Sequence, residues 1–484
     1  MSGISQVLEV ARRAILAQQY QMNVVGHNIA NASTPGYSRQ RAHLVATAPT
    51  ESGSGGLLGT GVIVDSVDRL RNRFIDTQIR SSNDAYGQAS QENQILNQMQ
   101  ATFNELSPDD NVNGLSGTLS TFFNSWLSLT THSEDPVSRN TLMLAGQNVT
   151  NQFRRLNTDM STLRGSLRDE IQSKLDRINT LSSEISTINV QLTAASVSGA
   201  NTGDMRDTLG TKLDELSSLA NISVNEAANG TVSVMMGSSL IADSGGAHTL
   251  KMTAGPSATI DGSSYDQIKL MTDMGVDAGL TGGETGGLLK SYNTTIPEAL
   301  GRLDRLAEAL VSEVNKAHAT GYGLQEPPKT GINFFSGNDA ASIAIDLTDT
   351  STGAAAGSNP DIANIATSSV AGASGNDIAS LIASAFDRRS LTTSGGASLL
   401  GGQSLSSYYN QSVTKVGSAI NSSDTVMYSQ EQVLTQLNQQ RDSVSGVSLD
   451  EEMTNMIKYQ RAFDSAAKLI STADEMFQTL LNMV

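Results

Sequence analysis

The side chains best suited to proton transfer or metal binding near neutral pH are five histidines, His27, His43, His132, His248 and His318. They are scattered, with no H-E-x-x-H array and no second histidine at ligand spacing, so no metal centre is expected. Cysteine is absent, which removes thiolate zinc sites, iron–sulfur clusters, cysteine nucleophiles and disulfides together. The Gly/Ser run from Ser52 to Gly61 lacks the lysine and the helix start of a phosphate loop, and reads as a flexible loop; no G-x-S-x-G nucleophile elbow occurs. The acidic groups Asp109, Asp110, Glu451 and Glu452 stand near turns or helix starts, where a carboxylate favours the positive end of the helix dipole. The residues therefore point to no catalytic site, no cofactor and no metal.

One segment is chemically distinctive without being catalytic. Within Gly26 to Gln40, the residues Asn28, Asn31, Ser33, Thr34, Pro35, Gly36 and Tyr37 describe a helix end followed by a turn. Asn caps or adopts a left-handed conformation, Pro35 fixes φ and Gly36 permits positive φ.

The elements around this turn are amphipathic helices. Ile4, Leu8, Ala11, Ile15, Gln18, Met22, Val25 and Ile29 alternate spacings of four and three, which is a coiled-coil stripe. At the other end Met453, Met456, Gln460, Phe463, Ala467, Ile470, Asp474, Phe477, Leu481 and Val484 do the same. A lone helix of this kind is marginal in water and needs a partner for its stripe. The N-terminal segment has an excess of arginine and the C-terminal one an excess of carboxylate, so the two ends are expected to pair, with the apolar seam dominant. Ile4, Leu8, Ile15, Met22, Val25, Ile29, Met453, Phe463, Ile470, Phe477, Leu481 and Val484 are the expected assembly interface, and Gln18, Gln460 and Asp474 the residues that set its register.

The whole chain has 484 residues and a formal charge of −17, which argues against a nucleic-acid partner. Its length allows about two to four domains. With 4% aromatic residues and one tryptophan, thin helical domains suit it better than a large enzyme core. The first twenty residues carry Glu9, Arg12 and Arg13 where a secretory signal needs an apolar core, and no run approaches the roughly 18 apolar residues of a spanning helix. A soluble protein, without membrane insertion and exported by another route, is expected.

Between the ends, residues 165–192 form a stripe (Leu167, Ile171, Lys174, Ile178, Leu181, Ile185, Ile188, Leu192) that predicts a rod about 42 Å long. Thr295 to Glu298, with Pro297, reads as a capping box opening a helix through Ala317. A further helix runs from Val413 to Val444, and apolar patterns at 88–106 and 118–160 add to the bundle. Asn229-Gly230 and Asp261-Gly262 predict hairpins within 221–284. The expected fold is α+β and multidomain: a terminal helical coiled coil, an elongated helical bundle built from both chain halves, and a β-rich central outer region. The domains are read as 1–60 with 440–484; 61–220, 285–325 and 410–439; 221–284; and a Gly/Ala-rich 326–409, either separate or part of the same β domain.

The turn itself, Gly26-His27-Asn28-Ile29-Ala30-Asn31-Ala32-Ser33-Thr34-Pro35-Gly36-Tyr37-Ser38-Arg39-Gln40, resembles the N-terminal signature of the rod, hook and hook-associated proteins of the bacterial flagellum. Its Gly36-Tyr37-Ser38-Arg39 ending, and the C-terminal run Leu449-Asp450-Glu451-Glu452-Met453, Tyr459-Gln460-Arg461-Ala462-Phe463 and Ala473-Asp474-Glu475-Met476, resemble the hook-associated protein 1 (FlgK) family. Asn315, His318, Gly321, Gly323, Phe334-Phe335 and Arg206-Asp207 are similar too. Residues 336–410 depart from it, being shorter and richer in Gly and Ala than the outermost domain of longer members. The resemblance implies a structural, non-enzymatic axial protein, secreted by type III export and self-assembled into a ring or tube segment at the first hook–filament junction. Its implied partners are the hook protein, the second hook-associated protein and an export chaperone held at Met456, Phe463, Ile470, Phe477 and Leu480. The competing readings are a hook or distal-rod subunit, or a secreted adhesin or enzyme using the same export route.

Overall fold

The computed structural model describes residues 2–51, 57–103, 114–198, 200–349, 355, 357–358, 360–372, 375–389 and 400–483. The acid pair Asp109 and Asp110, and the end of the 88–106 pattern, lie outside them. Helices α1 (Ser2–Ala30) and α10 (Leu449–Met483) pack against each other, so the chain ends are joined.

Their seam is not in the expected register throughout. On α10 the covered positions include Glu452, Met456, Tyr459, Phe463, Ala466, Ile470 and Ala473, while Gln460 and Asp474 are exposed. Desolvating an unpaired carboxylate or amide is costly, and rotating alternate layers by one residue replaces both with tyrosine and alanine. The same rotation leaves Met453 outside, at 54% exposure, and Phe477, in the last turns of the helix, is 40% exposed. Leu480 and Leu481, at the level of their side chains, and Val484 lie outside the described residues. On α1, Val25 is buried and Ile4, Leu8, Ile15, Met22 and Ile29 are half-buried.

Ala11, Ala17, Val24 and Asn28 are buried as well, an arc too wide for one coiled-coil stripe. The additional cover is a β-ribbon of β1 (Gln40–Ala46) antiparallel to β4 (Val62–Arg69), which packs on α1. Toward its tip β2 (Thr50–Glu51) pairs with β3 (Leu57–Leu58), so the expected loop is partly strand, with residues 52–56 outside the described set. A bulge between His43 and Leu44 breaks the ribbon's period of two, which hides it from a pattern reading.

The body is a helical bundle. α2 (Arg73–Phe103) runs antiparallel to α9 (Leu405–Ser445), with Ser82 bonded to Gln430 and Asn93 to Asp424. α3 (Leu115–Leu129) leads to α4 (Pro136–Ser198), whose 63 residues make a rod about 95 Å long. Its buried stripe includes Leu167, Ile171, Leu175, Ile178, Leu181, Ile185 and Leu192. Lys174, expected in that stripe, instead reaches Glu284, because a straight helix repeats every 3.6 residues and drifts from a 3.5 template. α5 (Gly203–Leu219) packs beside α2 and α4.

The capping box does not start a helix. α6 (Gly283–Lys290) continues through a π-turn, Ser291–Thr295, into α7 (Ile296–His318), and Thr295 makes no side-chain cap. The wider π-turn accommodates Pro297, which lacks an N–H and crowds the preceding turn of a regular α-helix.

Both expected hairpin turns exist. β5 (Ile222–Glu226) pairs with β6 (Val232–Met236) around Asn229-Gly230, and β7 (Ser239–Ala242) adds to β6. β9 (Ala258–Ile260) and β10 (Ser263–Tyr265) meet at Asp261-Gly262, whereas β11 (Ile268–Thr272) pairs with β8 (Leu250–Ala254). Residues 326–389 carry β12 (Phe335–Ser336), β13 (Ala344–Ile345) and α8 (Asp377–Ala383), which pack on α3, α4 and α7. That outer lobe closes over Phe122, Trp126, His318, Phe334 and Phe335, whose rings touch.

Candidate assembly interface

The residues of the Gly26–Gln40 segment form a joint where both chain ends meet the body. α1 stops because Asn31 turns back, its N–H and Nδ2 both donating to the His27 carbonyl, at 3.1 and 3.0 Å. Thr34 N–H then donates to the Asn31 carbonyl and Tyr37 N–H to the Thr34 carbonyl, at 2.9 and 3.2 Å. Ser33, Thr34, Pro35 and Gly36 are exposed. Gly36 has φ of 80° and lies so close to Thr211 on α5 that a Cβ would collide with its hydroxyl; glycine is needed on both counts.

Asn28 is buried at the centre, and its amide is fully used. Oδ1 accepts from Gln40 N–H (2.9 Å) and Tyr37 OH (2.8 Å), while Nδ2 donates to the Gln40 carbonyl (2.9 Å) and Glu452 Oε2 (2.9 Å). One side chain thus ties α1, the turn, the start of β1 and the first turn of α10. Arg39 completes the link to α10, reaching Glu451 Oε2 and Glu452 Oε1 at 2.7 Å each, and its N–H donates to the Ser445 carbonyl at the end of α9.

A second centre fastens the turn to the body. Asp207 of α5 is buried and accepts from Ser38 N–H (2.9 Å), Ser38 OH (2.7 Å) and Arg69 (2.7 Å). Arg71 stands 3.5 Å from it and 2.7 Å from Asp76. The Gln40 side chain adds Asp204 at 2.8 Å. Ion pairs buried this way are costly to break on one side, because the remaining charge is left desolvated.

The charges reinforce the arrangement. Burial, followed by the carboxylates of Asp204, Asp207 and Glu452, raises the Tyr37 phenol above its ordinary range, so Tyr37 remains a hydrogen-bond donor. Burial opposes the charge on Arg39, but Glu451 and Glu452 outweigh it and hold its guanidinium above the usual value. Among the described residues no group of three or more His, Asp or Glu could hold a metal, and no helix is long and apolar enough to cross a membrane.

Of the expected seam, Val25 is buried and Ile4, Leu8, Ile15, Met22, Ile29, Met456, Phe463 and Ile470 are half-buried within the chain, while other apolar side chains of the terminal pair stay open to solvent. Val7, Leu16 and Tyr20 on α1, and Leu449, Met453, Ile457, Leu469, Met476 and Phe477 on α10, are exposed. Ser38, Arg39, Gln40, Asp207 and Glu452 carry the joint without appearing among the expected site residues. Their partners lie 169 and 424 residues apart in sequence, out of reach of any periodicity.

Paired terminal helices, a turn locked between them and a helical body assembled from both chain halves define an axial protein of the bacterial flagellum. Residues 8–37 match the family model of the flagella basal body rod protein, and 438–483 that of the flagellar basal body rod FlgEFG protein C-terminal region. Residues 96–335 match the helical domain of the flagellar hook-associated protein FlgK. Flagellar hook-associated protein 1 of Bacillus subtilis (strain 168) is 28% identical over 529 residues, covering 100% of this chain and 99% of that one. That of Salmonella typhimurium is 26% identical over 567 residues, covering 99% and 100%. The flagellar hook junction protein FlgK from Burkholderia pseudomallei shares the fold, with a TM-score of 0.58 at 15% identity over 76% of this chain and 100% of that one. The chain belongs to the flagellar hook-associated protein 1 family.

Proposed function

We infer that this chain is the structural subunit of the first hook–filament junction zone, set at the distal end of the hook and acting without catalysis. The observation that carries the reading is the set of large apolar side chains, among them Leu16, Tyr20, Met453, Ile457, Leu469 and Met476, that the α1–α10 pair leaves exposed and that two helices alone cannot cover. Neighbouring subunits cover those side chains on assembly, so that the terminal pairs pack side by side as the inner layer of a ring or tube. The hook protein lies on one side and the second hook-associated protein on the other. Before export through the flagellar type III route to the cell exterior, a chaperone covers α10 at Met456, Phe463, Ile470, Phe477 and Leu480. Thioether side chains suit such an exchange of partners because they repack readily.

The test is expression of the chain in a strain lacking its own junction protein. Restored filaments, with the chain located at the hook tip, are expected. Secretion without attachment to the hook, or attachment along the rod or hook shaft, would overturn the reading.

A further inference from the structure

Beside the joint a cleft of about 510 Å³ opens between the end of β4, the start of α2, α5 and the β5–β6 turn. Its lining holds five guanidinium groups, Arg69, Arg71, Arg73, Arg80 and Arg206, against three carboxylates, Asp68, Asp76 and Glu226. That excess is set into a chain whose formal charge is −17.

Four of these arginines are engaged. Arg69 meets Asp207 and Arg71 meets Asp76, both at 2.7 Å, Arg73 meets Glu226 at 3.0 Å, and Arg80 meets Asp214 at 3.2 Å. The carboxylates beneath are shared, Asp207 with Arg71 as well and Asp214 with Arg441 at 3.0 Å. Arg206 has no carboxylate partner among the described residues. Its Nη2 donates to the Asn229 carbonyl at 2.9 Å, and its Nε is buried with no acceptor. It lies against Gly230, where any side chain would displace it. Burial, with the like charges of Arg71 and Arg206, holds the Arg69 guanidinium below its ordinary value despite Asp207. The site is short of negative charge.

We propose that this cleft is a carboxylate socket, filled on assembly by an acidic segment of a second copy of this chain. Arg206 adds a positive charge with no carboxylate beside it, and Arg73, 69% exposed in its side chain, stands at the rim to meet an incoming carboxylate. The copies supply the counter-charge, with 48 acidic against 31 basic residues each. The cleft shares Arg69 and Arg71 with the joint, so an inserted segment would brace the same elements that hold the terminal pair. The inference rests on the assembly reading above and names one of its contacts.

The chain contains no cysteine, so Thr77→Cys, at an exposed position in the cleft wall, places a unique thiol there. In dilute monomer the thiol should react with a maleimide quickly, and in assembled junctions at least about tenfold more slowly. R73Q/R206Q, both outside the joint, should leave the monomer folded, its melting temperature lowered only by the lost Asn229 and Glu226 contacts, and weaken its retention on hooks by about tenfold or more. Absence of the chain from hooks would defeat the assembly reading itself. A chain present on hooks, with the thiol still fast or R73Q/R206Q fully retained, overturns the socket alone. Protection of the monomer's thiol by millimolar inorganic phosphate, without protection on assembly, also overturns it, in favour of a free small anion.

Discussion

Replacing Asn28 is expected to uncouple the terminal pair from the body, because its amide closes four hydrogen bonds with no capacity left over. In Asn28→Ala, Tyr37 keeps His27 at 3.0 Å and Glu452 keeps Arg39 at 2.7 Å. The Gln40 N–H and carbonyl lose their Asn28 partners in a buried setting. Unsatisfied buried groups cost about 1–3 kcal/mol each, so the joint should lose about 3–5 kcal/mol with the weaker contributions added. That corresponds to local opening roughly a hundredfold to several thousandfold more frequent. Hydrogen exchange across residues 22–30 and 449–463, normalised to unstructured rates, reads this opening directly, and peptides from α4 serve as the internal control.

Asn28→Asp sharpens the test. The carboxylate still accepts from Gln40 N–H and Tyr37 OH, yet it faces the Gln40 carbonyl and Glu452 Oε2 where Asn28 donated. At pH 7 the loss should be at least that of the alanine variant. Burial and the neighbouring carboxylate raise the new group's pKa above the ordinary range, so it takes up a proton as the pH falls and then donates to Glu452. Its exchange excess should therefore shrink between pH 7 and pH 5, whereas that of Asn28→Ala stays constant. Exchange in both variants within threefold of wild type at pH 7 would refute the claim that Asn28 couples the ends to the body.

The seam register predicts that Ala466→Leu, at a buried alanine of α10, wedges the terminal helices apart at a cost of about 1–3 kcal/mol. Asp474→Leu, at an exposed position of the simple heptad reading, should change the pair's stability by under about 0.5 kcal/mol; exchange of α1 compares the two. His318 is fully buried, its Nδ1 bonded to the Ile332 carbonyl at 2.7 Å and its Nε2 accepting from Ala366 N–H at 2.9 Å. Burial pulls its pKa from 6.5 down to about 4, so below pH 6.5 the unfolded chain holds a proton that the folded lobe refuses. Stability should fall by about 3 kcal/mol between pH 6.5 and 4, a slope that His318→Gln removes. Fluorescence of Trp126, whose ring centroid is 6.1 Å from that of His318, follows it. Arg139→Met should cost the outer lobe about 3–5 kcal/mol, because the carbonyls of Ser133, Ile362 and Ile365 lose the guanidinium that donates to them and unsatisfied buried groups cost about 1–3 kcal/mol each. Thermal unfolding followed by the same tryptophan checks it.

Apolar periodicity by itself determined the two terminal helices, the long inner rod and the helix leading into α10, because each must hide one face from water wherever it packs. The turn chemistry of Asn229-Gly230 and Asp261-Gly262 was equally local, since positive φ is decided within a few residues. The stop of α1 at Asn31 belongs with these. Tertiary structure alone decided which residues of a stripe face inward. A heptad pattern tolerates Gln460, Asp474 and Lys174 as isolated exceptions, whereas in the folded chain Gln460 and Asp474 reach water and Lys174 a counter-charge, and Gln18 stays half-buried in the seam. The β1–β4 ribbon, broken by its bulge, and the passage of α6 through a π-turn into α7 were also settled by packing. So was the joint: Asn28 with Glu452, and Ser38 with Asp207, meet only after the chain has closed on itself. The sequence carries those four residues in plain view, but a hydrogen bond's value lies in the burial and partners that only the folded chain supplies.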